Sequence, residues 1–389
     1  MNVEELLSQV ERLKKDLVAY ATSPGFAKRT KALLAAKHAE GPATEGDAIM
    51  AVESVIYERD RQAREPLLER FLRTNKNLAP ADREMYEQWL ARSFLGVFTI
   101  RAYDGSRMLL HNLIDDMDYE VYPTVGPAEL EPLHRGDFAV ARLVPMGQAW
   151  TISGNVVKFP AKHRAEIMSM AASLATGNPL LVLANPEIAA ESRVLAADQH
   201  RVFVKLFGSH IVRGTGAQVV AAYRLFLTTC AAEAASRNPG DAGGERTGEQ
   251  LAPDSMFAQE LFGNDDVAMV HHRMKSASFL QGYSLLEDAH RNPATDPGDP
   301  KSEVLRACVQ NPGSIPDILE ELAARFPGTV DAAYEVAFSR PGFSWERDGE
   351  ALLRRYKPEE FRTRDLPSIA VLPPWLKDAV HGLAQAPRA

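Results

Sequence analysis

The residues with most chemical reach fall into a few short groups. His271-His272 is the one adjacent histidine pair in the chain. Two imidazoles share a metal only if they converge. Neighbours on a strand point to opposite faces, and neighbours on a helix diverge by about 100°, so the pair is not read as a metal site. Asp115, Asp116, Asp118 and Glu120 form an acidic knot. Alternating carboxylates suit a hard cation such as Ca²⁺, but the turn glycine and the terminal bidentate glutamate of a calcium loop are missing, which leaves a solvated turn. Gly214-Thr215-Gly216 precedes a helical pattern and can direct backbone N–H groups at an anion. Without GxxxxGK[ST] or GxGxxG it reads as helix capping by Thr215. Neither Ser153-Gly154 nor Ser209-His210 forms a nucleophile elbow, and His210 beside Arg213 reads as a surface pair. No catalytic residue, cofactor or metal site is predicted.

Two surfaces are candidates for binding. Arg347, Asp348, Glu350, Arg354, Arg355 and Lys357 lie on one helical pattern. Their plain reading is a solvated, salt-bridged face. The alternative is a partner-binding face, with Trp345 and Tyr356 as anchors and Arg347, Arg354 and Arg355 around them. The second surface joins Arg101, Arg142 and Trp150 with Phe98, Tyr103, Tyr119, Tyr122, Arg107 and Arg135, where bases can stack beside basic groups.

Most of that second group sits in the stretch that organises the chain, Leu95 to Phe159. Five runs there have strand character: Leu95 to Arg101, Met108 to Leu113, Tyr119 to Tyr122, Phe138 to Val144 and Trp150 to Lys158. Each is rich in β-branched, aliphatic or aromatic residues and ends at Gly, Asp or Pro. Asp104-Gly105, Asp115 to Asp118, His134 to Asp137 and Met146-Gly147-Gln148 supply the turns. Short strands on short turns predict a compact antiparallel meander or small barrel. The expected class is α+β, mainly helical, with this β domain flanked by helical regions.

The predicted organisation is a helical region at 1–92, the β domain at 93–160, a helical region packing on it at 161–236, a linker at 237–253 and a mostly helical region at 254–389. A short hairpin is expected near 267–283. In the first region Val3, Leu6, Val10, Leu13, Leu17 and Tyr20 mark an amphipathic helix. It packs on its own domain or pairs with a second copy in a homodimer. A short helix follows over 26–38 and a loop over 41–47. Residues 48–74 read as a long helix that Pro66 kinks or splits, and another helix opens at Pro80. The linker is rich in Gly, Pro and charge and lacks periodicity. The last ninety residues read as short helices, the final one over 374–383.

The chain has 389 residues and a net charge of −8, with 45% hydrophobic and 25% charged residues. This composition suits a globular protein of two or three domains. The negative balance argues against binding nucleic acid along the surface. Two cysteines, Cys230 and Cys308, form no CxxC and suggest neither a zinc knuckle nor a disulfide framework. The first residues are amphipathic and charged, unlike a signal peptide, and no apolar run is long enough to span a membrane. A cytoplasmic protein of bacterial type is expected.

Three stretches carry a resemblance: FLRTNKNLAPADREMYEQWLARSFLGVFTI running into LHRGDFAVARLVPMGQAWTISG, then FVKLFGSHIV, then RPGFSWERDGEALLRRYKPEEF. Together they resemble a group of uncharacterised bacterial proteins related to SEC-C-motif-containing proteins, in which a helical N-terminus precedes a small β domain. The chain ends LPPWLKDAVHGLAQAPRA, without the cysteine cluster of that motif. The resemblance therefore implies no metal site and no catalytic residue here.

The expected function is non-enzymatic: binding another macromolecule, most simply a protein, as an adaptor or scaffold. One alternative is nucleic-acid association through the β domain. The other is an enzyme of unrecognised type, since catalytic groups meet in space and need not be neighbours in sequence.

Overall fold

The computed structural model describes residues 2–26, 31–32, 34–35, 45–58, 65–104, 106–124, 134–237, 247–311, 315–377 and 379. The chain forms two compact units, one of residues 1–188 and 372–389 and one of residues 189–371. The division thus falls at Ile188/Ala189 and Val371/Leu372, not at the Gly/Pro-rich stretch 237–253, of which 238–246 lie outside the described residues. The expected helix at 26–38 also lies largely outside them; of the loop expected at 41–47, residues 45–47 are instead helical, and of the final helix expected at 374–383, residues 374–377 and 379 are described and helical.

In the first unit, α1 (Val3–Ala21) opens with a reciprocal capping box between Asn2 and Glu5. Its buried stripe of Val10, Leu13, Leu17 and Ala21 enters a core with α2 (Glu45–Tyr57), α3 (Leu67–Thr74) and α4 (Pro80–Arg92). The apolar stripe of α1 is thus buried in its own unit, the first of the two readings of this helix. The expected long helix is split: α2 ends at Tyr57, and α3 begins immediately after Pro66. Two hydrogen bonds fix α4. The Tyr86 hydroxyl donates to the Leu13 carbonyl at 3.0 Å, and Trp89 Nε1 donates to the Pro145 carbonyl at 3.0 Å.

Those helices pack against a closed barrel of β1 (Phe94–Tyr103), β2 (Met108–Asn112), β3 (Asp118–Val121), β4 (Phe138–Met146) and β5 (Ala149–Phe159). All five expected strands are present, each within two residues of its expected ends. The order around the barrel is β1-β2-β3-β5-β4, with β4 pairing back on β1. Every pair is antiparallel except β3 with β5, which is parallel. This is the arrangement of an OB-type Greek-key barrel. The parallel closure corrects the simple meander, because period-two alternation tells which face a residue takes but not which strand it pairs with. Phe98, Ile100, Met108, Leu110, Tyr119, Val121, Ala141, Leu143 and Ile152 fill the interior, and α5 (Arg164–Gly177) follows the barrel in the chain. β4 is buried at every position: Leu143 and Ala141 face inward, while Val144 and Met146 join the helical core.

The second unit holds an antiparallel sheet in the order β6 (Ile211–Gly214), β7 (Val267–His271), β8 (Ala277–Gln281). The hairpin was legible in the sequence; β6 was not. Side chains of β7 alternate between two cores. Val267 and Met269 join Phe203 of α6 (Pro186–Phe207) and Val219, Val220 and Phe226 of α7 (Gly216–Arg237). Ala268 and Val270 join α8 (Tyr283–Arg291), α9 (Pro300–Gln310), α10 (Pro316–Arg325), α11 (Val330–Ala337) and α12 (Glu350–Tyr356). At the start of α7, a Cβ on Gly216 would lie 1.6 Å from the Leu261 carbonyl oxygen, so only glycine fits there. No helix among the described residues is long and apolar enough to cross a membrane.

Candidate functional site

The register of β1, β2 and β3 sets the barrel's outer surface. Thr99 pairs with His111 and Ala102 with Leu109, while His111 pairs with Asp118 and Leu109 with Glu120. Strand alternation therefore turns Arg101, Leu109, His111, Asp118 and Glu120 outward, while Ile100, Leu110, Tyr119 and Val121 fill the interior.

The outward groups form two connected ion-pair chains. In the first, Arg101 NH1 donates to Asp118 Oδ2 at 2.8 Å, and His111 Nδ1 lies 2.9 Å from Asp118 Oδ1. His111 Nε2 is 3.2 Å from Asp116 Oδ1, with Asp116 at φ 59°. Both imidazole nitrogens therefore face carboxylates, and Nδ1 also lies 3.0 Å from Arg101. In the second chain, Arg107 bridges Asp104 at 3.5 Å and Glu120 at 3.3 Å, and the Tyr122 hydroxyl donates to Glu120 at 2.7 Å. These bonds hold the Asp104 and Glu120 carboxyls below the usual carboxylate range. Backbone N–H groups of Ser106 and Arg107 are the main cause at Asp104, and the Tyr122 hydroxyl is the main cause at Glu120.

Behind this surface lies Asp115, buried at the β2–β3 turn. Burial pushes its carboxyl up to about 6, against the hydrogen bond it accepts from the Tyr119 hydroxyl at 2.7 Å. The indole of Trp375 stands beside the turn. Its Nε1 donates to the Leu113 carbonyl at 3.2 Å, and its ring centroid is 6.1 Å from that of His111.

A second polar group is closed inside the same unit, where α1 and α2 meet β4 and β5. Lys14 Nζ donates to Glu53 Oε1 at 2.5 Å and to Ser153 Oγ. Ser153 Oγ donates to Glu53 Oε2 at 2.6 Å and lies 3.4 Å from the Tyr57 hydroxyl. Arg142 pairs with Glu58, and its guanidinium stands 5.1 Å over the Tyr57 ring. Gly154, at φ 78°, makes the enclosure possible, since a Cβ there would lie 2.6 Å from Glu53 Cγ. Burial lowers the Lys14 pKa, opposed by Glu53, and burial raises that of Tyr57. A serine beside a lysine of lowered pKa is the chemistry of an activated nucleophile. Here Ser153 is 1% exposed and shares its hydroxyl with Glu53, which makes it a packing element and not an attacking group.

The residues singled out by sequence are thus distributed over the molecule. Arg101 lies on the outer barrel surface. Arg142 is 5% exposed and ion-paired, which corrects its reading as an exposed basic group. Trp150 packs edge-on against Phe94 and Tyr119 under the Arg92 guanidinium, so its ring is not a free stacking platform. Phe98 is fully buried. The aromatic and basic groups expected to share one exposed face do not share one. In the second unit, Trp345 and Tyr356 rest partly buried on the core, Trp345 at 4.6 Å from Tyr334. Arg347 bonds Asp348 at 2.7 Å and Arg354 bonds Glu350 at 2.6 Å, while the Arg355 guanidinium lies 5.6 Å from the Tyr356 ring. The histidine pair diverges as a strand requires. His271 is buried against Phe203 and Phe226, 3.4 Å from His200, whereas His272 lies 3.5 Å from Asp317. Thr215 exchanges capping bonds with Gln218, the role expected of it.

The described residues include no group of three or more His, Cys, Asp or Glu side chains placed to hold a metal. His111 and the Lys14–Glu53–Ser153 group were missed in the sequence, because strand register and helix docking assemble them from distant positions. Comparison with family models, curated proteins and solved structures yields no match.

Proposed function

We propose that this protein is a non-enzymatic binding protein whose OB-type barrel presents the outer surface of β1, β2 and β3 to a basic segment of a protein partner. The observation that carries the reading is the charge balance of that surface. Asp104, Asp116, Asp118 and Glu120 stand against Arg101 and Arg107, and each arginine is held by a carboxylate. Nucleic acid is bound by surplus cations and stacked aromatics. Here the surplus is negative, while Phe98 and Tyr119 lie inside the barrel. A lysine- or arginine-rich segment complements such a surface, and complementary charge favours both encounter and register. Exposed Leu109 and half-buried Tyr122 add apolar area between the charges.

The reading includes a cytoplasmic setting, in keeping with a chain of only two cysteines. It also includes kinship with the SEC-C-related bacterial group, with partner binding independent of a cysteine-held metal.

Affinity capture from lysate, with and without nuclease, tests it when wild type is compared with an Asp118→Lys/Glu120→Lys double variant. The expected outcome is a discrete protein that survives nuclease and is lost from the variant. Capture of nucleic acid, or equal capture by the variant, would contradict it.

A further inference from the structure

The second unit contains a charge cluster of opposite sign. Glu287 of α8 is 5% exposed and is met by three arginines. Arg213 of β6 donates to it through NH1 at 2.9 Å and NH2 at 3.3 Å, Arg325 of α10 donates at 2.5 Å, and Arg291 NH2 lies 3.6 Å away. Tyr283, Glu287 and Arg291 fall one turn apart on α8 and share a face. Arg213 stacks 4.5 Å over the Tyr283 ring, and Arg291 and Arg325 each lie 5.4 Å from the Phe326 ring. The three guanidiniums are thereby held in place around one carboxylate.

The cluster is unsaturated. A guanidinium carries five N–H donors, yet only three hydrogen bonds reach Glu287. Among the described residues Arg291 makes no hydrogen bond, and the three arginine side chains are 44%, 50% and 50% exposed. The buried Tyr283 hydroxyl lies among the same groups, acted on by the hydrogen bonding and charge of Arg213 and by the charges of Glu287 and Glu321. The neighbouring carboxylates are already engaged, Glu321 with His210 at 2.9 Å and Asp288 with Lys301 at 2.7 Å. Arg291 and Arg325 end α8 and α10, where a helix C-terminus attracts cations. That accounts for their position. Even with about half a negative charge at each helix end, three guanidiniums against one carboxylate leave a positive surplus.

We propose that Arg213, Arg291 and Arg325 form a binding site for a phosphate group with two negative charges, either inorganic phosphate or a small phosphate monoester. Such a group offers three strong acceptor oxygens to planar guanidinium forks. A phosphodiester offers two non-ester oxygens and one charge, and fits less well. Glu287 orients the arginines and competes with the ligand for them. The site is independent of the barrel surface, so failure of either reading leaves the other standing.

Calorimetric titration of the full chain tests the site, using inorganic phosphate, glycerol phosphate and dimethyl phosphate at constant ionic strength set with chloride. Saturable one-to-one binding of inorganic phosphate, glycerol phosphate or both is expected, and the tighter binding identifies the natural source. Dimethyl phosphate should bind about tenfold more weakly. Arg291→Gln removes an exposed group without a hydrogen bond, so it should leave folding unchanged and weaken phosphate about tenfold. Glu287→Gln should tighten phosphate by a similar factor, because it removes the internal competitor. A merely structural cluster would give neither change. No saturable heat with the wild type, or phosphate affinity unchanged in Arg291→Gln, would overturn the proposal.

Discussion

The flank of the barrel and its outer surface are built from the same residue types and differ in one respect. At the flank, Lys14 and Arg142 meet Glu53 and Glu58 in equal number, with all but Glu58 buried. On the outer surface, Arg101 and Arg107 meet three carboxylates and a fourth, Asp116, lies against His111, all in contact with water. A balanced and buried set leaves nothing for a partner to satisfy, and its work is to dock helices on strands. An unbalanced and exposed set retains a field that a partner can complete. The arginine cluster around Glu287 follows the same logic with the opposite sign.

The comparison breaks most sharply at Glu53. Glu53→Ala leaves Lys14 buried without its carboxylate, and should destabilise the barrel unit by about 3–5 kcal/mol in denaturant unfolding. Lys14→Met/Glu53→Leu should recover most of that loss, because two apolar groups can replace a buried pair at little cost. If the double variant is no better than the single one, the pair is more than a docking element.

The buried histidine of the second unit gives the next effect. Burial depresses the His271 pKa to about 4. The unfolded chain then binds the proton more readily, so this contribution is complete above about pH 6.5 and is lost as pH falls towards 4. It amounts to about 3 kcal/mol. His271→Phe, placed among Phe203 and Phe226, should flatten that part of the stability–pH curve.

Asp115 titrates with the opposite sign. Its folded pKa of about 6 lies above the unfolded value. Its contribution is therefore complete below about pH 4 and is lost as pH rises through 6. Asp115→Asn should stabilise the protein by on the order of 2 kcal/mol at pH 7.5 and by almost nothing at pH 3.5, as measured by urea unfolding. The smallest stability effect belongs to the outer surface. Asp118→Asn breaks exposed pairs and should cost under about 1 kcal/mol, while still weakening a basic partner.

The barrel was legible because its strands are short, alternate in polarity and end at turn residues such as Gly136 and Gly147, both at positive φ. Its parallel β3–β5 closure was not, since the Val121–Trp150 pairing brings together residues far apart in sequence. β6 was missed because four residues between two long helices carry too little pattern to declare a strand. Arg142 looked like an exposed basic residue because it sits on an alternating strand, but helices cover the outer side of β4. The acidic knot was visible, yet its division into buried Asp115 and surface Asp116 and Asp118 depends on how the turn folds back, a matter of tertiary packing.

The most direct test of the barrel reading is fluorescence anisotropy with the full chain, using a labelled arginine-rich peptide and a labelled single-stranded oligonucleotide over a range of salt. The account predicts peptide binding that weakens with salt and falls about tenfold or more in Asp118→Lys/Glu120→Lys, with no binding of the oligonucleotide. Oligonucleotide binding by the wild type, with no response to the peptide, would contradict it.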